Sequence, residues 1–130
     1  MLKGYSVKLY IKRLKAISDL TRVRIIKTLI KSKLELCVCE IVDALQLPFY
    51  TVSKQIKELN NADILDENKQ GKFVMYSIKK NPDDVFLNEL ISLINLIPDD
   101  LLNEDFENLR KRLILRENGK CVIGATEINS

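Results

Sequence analysis

At 130 residues the chain is large enough for one domain with a real core and too small for two. Its 46% hydrophobic and 30% charged content is that of an ordinary globular protein. No apolar run reaches the roughly 18 residues of a membrane span, and the N-terminus has no signal-peptide pattern, so no membrane partner and a cytoplasmic location are expected. The net charge of +3 is mild but unevenly spread. From Met1 to Lys33 the charges are basic except for Asp19, whereas from Asn81 to Leu109 they are all acidic. A basic half suits a polyanion. The acidic block either faces the basic segment, within one chain or across a dimer, or forms an unrelated solvated face.

The spacing of Leu9, Tyr10, Leu14 and Ile17 predicts a first helix from about Val7 to Ile17. Asp19 can cap a second, Leu20 to about Lys31, whose apolar stripe includes Val23, Ile26, Leu29 and Ile30. A short third helix follows, Val38 to Leu45. Gln46-Leu47-Pro48 reads as a turn, and Pro48, tolerated in a first helical turn, opens a fourth helix to about Asn61. Val52, Ile56 and Leu59 of that helix face inward; Tyr50, Thr51, Ser53, Lys54, Gln55 and Lys57 lie on or near the outer side.

After Ala62-Asp63 the period becomes that of strands. Ile64-Leu65-Asp66 and Phe73 to Ile78 flank the polar, glycine-containing turn Asn68-Lys69-Gln70-Gly71-Lys72, a hairpin that would form a wing. Asp83 to Ile97 is apolar around most of a helical circumference, too much for so small a domain to bury alone. Pairing with the first helix in a two-fold dimer would cover it. Pro98 ends that helix, and Asp99 or Asp100 starts a last one to about Arg116. The tail, Glu117 to Ser130, has two glycines and little periodicity and is expected to be mobile. The expected fold is mainly α with a small β-hairpin: a winged helix-turn-helix in the order α-α-α-α-β-β-α plus a C-terminal helix. Residues 1–97 form the dimerising, DNA-binding part and 98–130 the last helix and tail.

Lys54 and Lys57 share a helix face that could meet phosphates or guanine edges, unless that face is simply solvated. Lys69 and Lys72, at the wing tip, could reach flanking phosphates, contacts that position without specifying sequence. The chemistry concentrates in Glu35-Leu36-Cys37-Val38-Cys39-Glu40-Ile41-Val42, in a chain without histidine. Its three cysteines are expected as free thiols, open to metal or redox chemistry, or as fillers of core space. Thiolates favour arsenic(III), antimony(III), cadmium, lead or copper(I) over harder ions. Residues i and i+2 of a helix point about 200° apart, at about 100° per residue. Cys37 and Cys39 could therefore grip one ion only if the start of the third helix unwinds or has not formed.

Four segments together resemble the ArsR/SmtB family of metal-sensing winged-helix repressors: Ser18 to Ile26, Glu35 to Ile41, Thr51 to Leu59, and Gly71 to Tyr76. The resemblance covers roughly residues 7 to 97 in the right order. It implies a homodimer that binds an imperfect inverted repeat of double-stranded DNA and leaves when an inducer binds, with two recognition helices about one DNA turn apart. Pro48-Phe49-Tyr50 stands where small polar residues often open the recognition helix, and Gln55 where histidine is common. Base readout would then fall to Tyr50, Thr51 and Gln55 in an unusual combination.

The family's histidine-dependent zinc sites are excluded, but Cys37-Val38-Cys39 resembles its Cys-Val-Cys sensing motif. Arsenic(III) sensors with that motif often carry a third cysteine where this chain has Val42, leaving Cys121 as the remaining candidate ligand. The expected function is a repressor with no permanently bound cofactor, released by As(III) or Sb(III), ahead of Cd(II), Pb(II) or Cu(I), on Cys37, Cys39 and Cys121. The alternatives are a thiol-redox or reactive-sulfur switch of the same fold, in which a Cys39–Cys121 bridge is conceivable, and a metal-carrying interaction module that does not bind DNA. An enzyme is not expected: there is no histidine base, phosphate-cradling glycine loop or recognisable nucleophile arrangement.

Overall fold

A computed structural model describes residues 3–124, with side chains from residue 7 onward except that of Leu101. Helix α1 spans Lys3–Ala16 and α2 Leu20–Ser32. The carboxylate of Asp19 caps α2, accepting the Arg22 backbone N–H at 3.0 Å. Helix α3, Val38–Leu45, ends where Gln46 turns left-handed at φ 57°, and α4, Phe49–Asn61, completes the helix-turn-helix. Pro48 stands one residue outside α4 as its N-cap, where its missing N–H costs nothing. Val52, Ile56 and Leu59 are buried, as the periodicity required.

The hairpin is longer and its turn tighter than the sequence suggested. Strand β2 runs Leu65–Gln70 and β3 Phe73–Ile78, in antiparallel register from Leu65 opposite Ile78 to Gln70 opposite Phe73. Only Gly71 and Lys72 turn the chain, and Gly71 takes φ 63°, which a side chain would disfavour. Lys69 therefore pairs with Val74 inside the ladder, and Lys72 alone of the two lies in the turn. A two-residue strand unseen in the sequence, β1 (Leu36–Cys37), adds to the other side of β3, giving the order β1-β3-β2.

Helix α5, Val85–Asn95, is capped by Asp84, whose carboxylate accepts the Leu87 backbone N–H. Within one chain it buries a single stripe, Leu87, Leu90 and Ile94, and leaves Val85, Leu93 and nearby Leu96 more than half exposed. A 3-10 turn, Asp99–Leu102, leads into α6, Asn103–Leu113, which lies along α3. The core joins Ile25, Ile26 and Leu29 of α2 to Ile41, Val42 and Leu45 of α3, Val52, Ile56 and Leu59 of α4, and Leu109 of α6.

The acidic block faces the basic segment within the chain. Arg13, fully buried, pairs with Asp84 at 2.7 Å, Arg24 with Asp105 at 2.8 Å, and Lys27 with Asp99 at 2.6 Å. Part of the apparent basic half thus clamps α5, α6 and the 3-10 turn between them to the helical core. Among the described residues no helix is long and apolar enough to cross a membrane.

Candidate thiol site and nucleic-acid interface

Cys37 ends β1 opposite Met75 of β3 and also serves as the N-cap of α3, with extended backbone at φ −85°, ψ 166°. It is therefore outside the helix whose first turn carries Cys39. The divergence expected of two cysteines on one helix does not arise, because the helix has not begun at Cys37. Glu40, three residues on, reaches back so that its carboxylate accepts the Cys37 backbone N–H at 3.2 Å, one leg of a capping box.

Beyond α6 the chain reverses at Asn118 and Gly119, both with positive φ, closed by a bridge between Glu117 and Lys120. This turn brings Cys121 back to the start of α3 in the same protomer. The Cys37 and Cys121 sulfurs lie 3.1 Å apart, both residues buried. Cys39, half-exposed, hydrogen-bonds to Cys37 and packs on the same cluster with Met75 and Phe73. The structure therefore brings the Cys37 and Cys121 sulfurs into contact, with Cys39 packed beside them. The Cys39 hydrogen bond, burial and the Cys121 contact together hold the Cys37 thiol well above its usual pKa, so it is neutral at neutral pH.

Two arginines of the last helix and its exit fix the returning segment. Arg112, 4% exposed, pairs with Asp43 of α3 at 2.9 Å, donates to the carbonyls of Ile123 and Gly124, and lies 3.7 Å from the Cys121 sulfur. Arg116 grips both carboxylate oxygens of Glu40, at 2.7 and 2.8 Å, and the Glu35 carbonyl at 2.7 Å. The sequence reading missed Glu40, Arg112 and Arg116. The Cys37-x-x-Glu40 capping spacing was a legible signal for the first; the arginines read only as the basic end of an amphipathic helix.

The donor set fits a soft ion. Sulfurs sharing an ion at bonds of about 2.3 Å stand roughly 3.3–3.8 Å apart, so a contact of 3.1 Å needs only a small opening. Glu40 also lies close: its oxygen and the Cys37 and Cys121 sulfurs fall within 4.8 Å of one another. Both its oxygens are already engaged by Arg116 and the Cys37 N–H, which leaves sulfur as the available chemistry.

On the other side of α3, helix α4 presents Tyr50, 76% exposed, with Lys54 and Lys57 exposed beside it. Thr51, Ser53 and Gln55 are half-buried, and the Gln55 amide oxygen accepts a hydrogen bond of 2.5 Å from Arg22. Lys69 projects from β2 as an exposed side chain, and the Lys72 ammonium rests 5.7 Å from the centre of the Phe73 ring. The expected nucleic-acid residues thus lie on α4 and the wing, with Gln55 the one tied to another helix.

Residues 19–67 match the model of the arsR family of bacterial regulatory proteins. The chain is 35% identical over 65 residues to the cadmium resistance transcriptional regulatory protein CadC of Listeria innocua, covering 50% of this chain and 54% of the relative. It is 38% identical over 64 residues to the arsenic resistance transcriptional regulator ArsR1 of Pseudomonas putida, covering 49% of each. It is also 35% identical over 81 residues to an uncharacterized HTH-type transcriptional regulator of Methanocaldococcus jannaschii, covering 62% of this chain and 85% of the relative. The chain spans about half the length of the cadmium and arsenic resistance regulators. The helix-turn-helix, the wing and the extent of the match to the archaeal regulator make this chain a member of the arsR family of bacterial regulatory proteins.

Proposed function

We propose that this protein is a DNA-binding transcriptional repressor released from its operator by a thiophilic ion, arsenite or antimonite first, bound by Cys37, Cys39 and Cys121 of one protomer. The observation that carries the reading is the 3.1 Å contact of the Cys37 and Cys121 sulfurs at the junction of β1 and α3, with Cys39 packed beside them and no imidazole in the chain. Arsenite is As(OH)3 at neutral pH, and three thiols condense with it to form three As–S bonds and release three waters. Cadmium, lead and copper(I) rank lower, because each cation must displace thiol protons in a buried site. Residues 1–97 would dimerise and read DNA, while 98–130 supply the third sulfur.

Release follows from where the sulfurs are anchored. Cys37 belongs to the strand paired with the wing and Cys39 to the first turn of the helix behind α4. Spreading them around an ion moves the wing and the support of the recognition helix together. A coupling of about 1–3 kcal/mol between ion and operator would weaken DNA binding roughly 5- to 150-fold. The exposed apolar side chains of α1 (Val7, Ile11, Leu14) and α5 (Val85, Leu93), joined by the stacked Tyr10 and Phe86 rings, would form the interface of a two-fold homodimer. That dimer would present two α4 helices to successive major grooves of an imperfect inverted repeat.

The test is release of the protein from its own upstream DNA under reducing conditions, with arsenite, antimonite, cadmium and lead added separately. Arsenite should release the wild type at stoichiometric levels and leave the Cys37→Ser, Cys39→Ser and Cys121→Ser variants bound. Normal release of any of these variants would remove that cysteine from the site. A second reading is favoured by the 3.1 Å contact itself: a two-electron oxidation of Cys37 and Cys121, with loss of both thiol protons, would form a disulfide of about 2.05 Å. The bridge would then join Cys37, not Cys39, to Cys121. Release by a peroxide without metal, reversed by a dithiol, would identify it.

A further inference from the structure

Arg22 is anchored twice. Its backbone N–H is taken by the Asp19 cap, and its Nε donates to the Ala16 carbonyl at the end of α1, at 2.5 Å. From that fixed base Nη1 donates to Oε1 of Gln55, in the middle of α4, also at 2.5 Å. A guanidinium has only donors, so the orientation of the Gln55 amide is determined by its partner: the oxygen must face Arg22 and the NH2 must face away. Among the described residues that NH2 donates to none.

Resting on the DNA-binding reading above, we propose that Arg22 locks Gln55 as a hydrogen-bond donor toward the major groove and so sets the base it selects. An unrestrained glutamine pairs with adenine through both its atoms, accepting from N6 and donating to N7. Here the amide oxygen carries a guanidinium. Its second lone pair would have to receive the adenine amino group beside a full positive charge, donor against cation. What remains is the NH2, which suits a base edge made of acceptors alone. Guanine offers N7 and O6 together; thymine offers only O4, and cytosine, a donor, is rejected. Arg22 is a positioning residue in this scheme and Gln55 the reader.

The experiment measures binding of the full chain to its upstream duplex and to a panel in which each half-site base pair is replaced in turn. In the wild type one position per half-site should prefer guanine over adenine and cytosine by about tenfold or more. Gln55→Glu, whose carboxylate keeps the Arg22 partner but can only accept, should turn that position toward cytosine. Arg22→Ala should lose the guanine-over-adenine preference there and leave the ranking elsewhere unchanged, a pattern that general destabilisation would not produce. Adenine preferred by the wild type at the Gln55-dependent position, or an Arg22→Ala profile identical to wild type, would overturn the lock. If Arg22→Ala fails to fold, the Gln55→Glu profile decides: no move toward cytosine overturns it. Absence of salt-dependent binding to every duplex would overturn the DNA-binding reading itself, and the lock with it.

Discussion

Replacing Arg116 with alanine tests whether the thiol site is held by the ion pair at its edge. Glu40 is fully buried, and Arg116 supplies hydrogen bonds of 2.7 and 2.8 Å to its two oxygens, so truncation leaves a buried carboxylate with only the Cys37 N–H, at 3.2 Å. Breaking a buried pair costs about 3–5 kcal/mol. The Arg116 side chain is 12% exposed, so water can enter the vacated space and the low end, about 3 kcal/mol, applies. An unfolding entropy of about 2.1 cal/mol/K per residue converts this to a fall in Tm of roughly 11 °C for a chain of this length. Adding Glu40→Gln removes the stranded charge, and the double variant should recover most of the loss. Thermal unfolding by circular dichroism measures both. A fall below about 3 °C for Arg116→Ala, or a double variant no better than the single, would refute the ion-pair argument. The surviving Arg116→Ala protein should also bind cadmium and lead more tightly, because an oxygen donor beside the sulfurs has been released.

Three further outcomes follow from the geometry. Cadmium affinity should rise steeply between pH 6 and pH 8 (about tenfold per pH unit for each proton released) while arsenite affinity stays flat, as titrations at several pH values would show; equal slopes would contradict the condensation chemistry. The Arg13 guanidinium holds the Asp84 carboxyl below the usual carboxylate range, so its stabilisation is complete above that range and is lost as the pH falls through the lower folded value. Asp84→Asn should therefore lower stability at neutral pH and reduce the acid sensitivity below about pH 4, which chemical denaturation across pH would measure. Leu93→Glu with Leu96→Glu, placing charges on exposed apolar positions of the α5 region, should yield a monomer by ultracentrifugation and weaken operator binding at least tenfold; a stable dimer would move the interface elsewhere.

The helix-turn-helix was legible because its periodicity and caps agree. Asp19 caps α2, Pro48 stands at the mouth of α4, and Val52, Ile56 and Leu59 recur at helical spacing and are buried. Strand β1 was not legible. Two residues carry no period, and Leu36–Cys37 becomes a strand only because β3 offers it a free edge. The turn was read too wide because Asn68, Lys69 and Gln70 are polar, yet an exposed wing strand needs no apolar face there. The ion pairs that bind α5 and α6 to the core, Arg13–Asp84 and Arg24–Asp105, were present as two opposite charge blocks whose partners composition cannot assign.

Under the proposed reading, Val42 accounts for a third sulfur supplied from far along the chain. The position is completely buried, between Ile41 and the Ala44–Leu45 end of α3, in the core that supports α4. A cysteine there would lie on the inner side of α3, while Cys37 leaves β1 before the helix starts. With Val42 committed to packing, the third thiol of the proposed site comes from another part of the chain, and α6 is the element laid along α3. Arg112, bonded to Asp43 and to the backbone at Ile123 and Gly124, then holds Cys121 against Cys37. Cys37 and Cys39 fall within the residues that match the family and Cys121 falls outside them. Under the proposed reading, a change of donor atom in the returning segment would leave the residues that match the family, and α4 among them, unaltered.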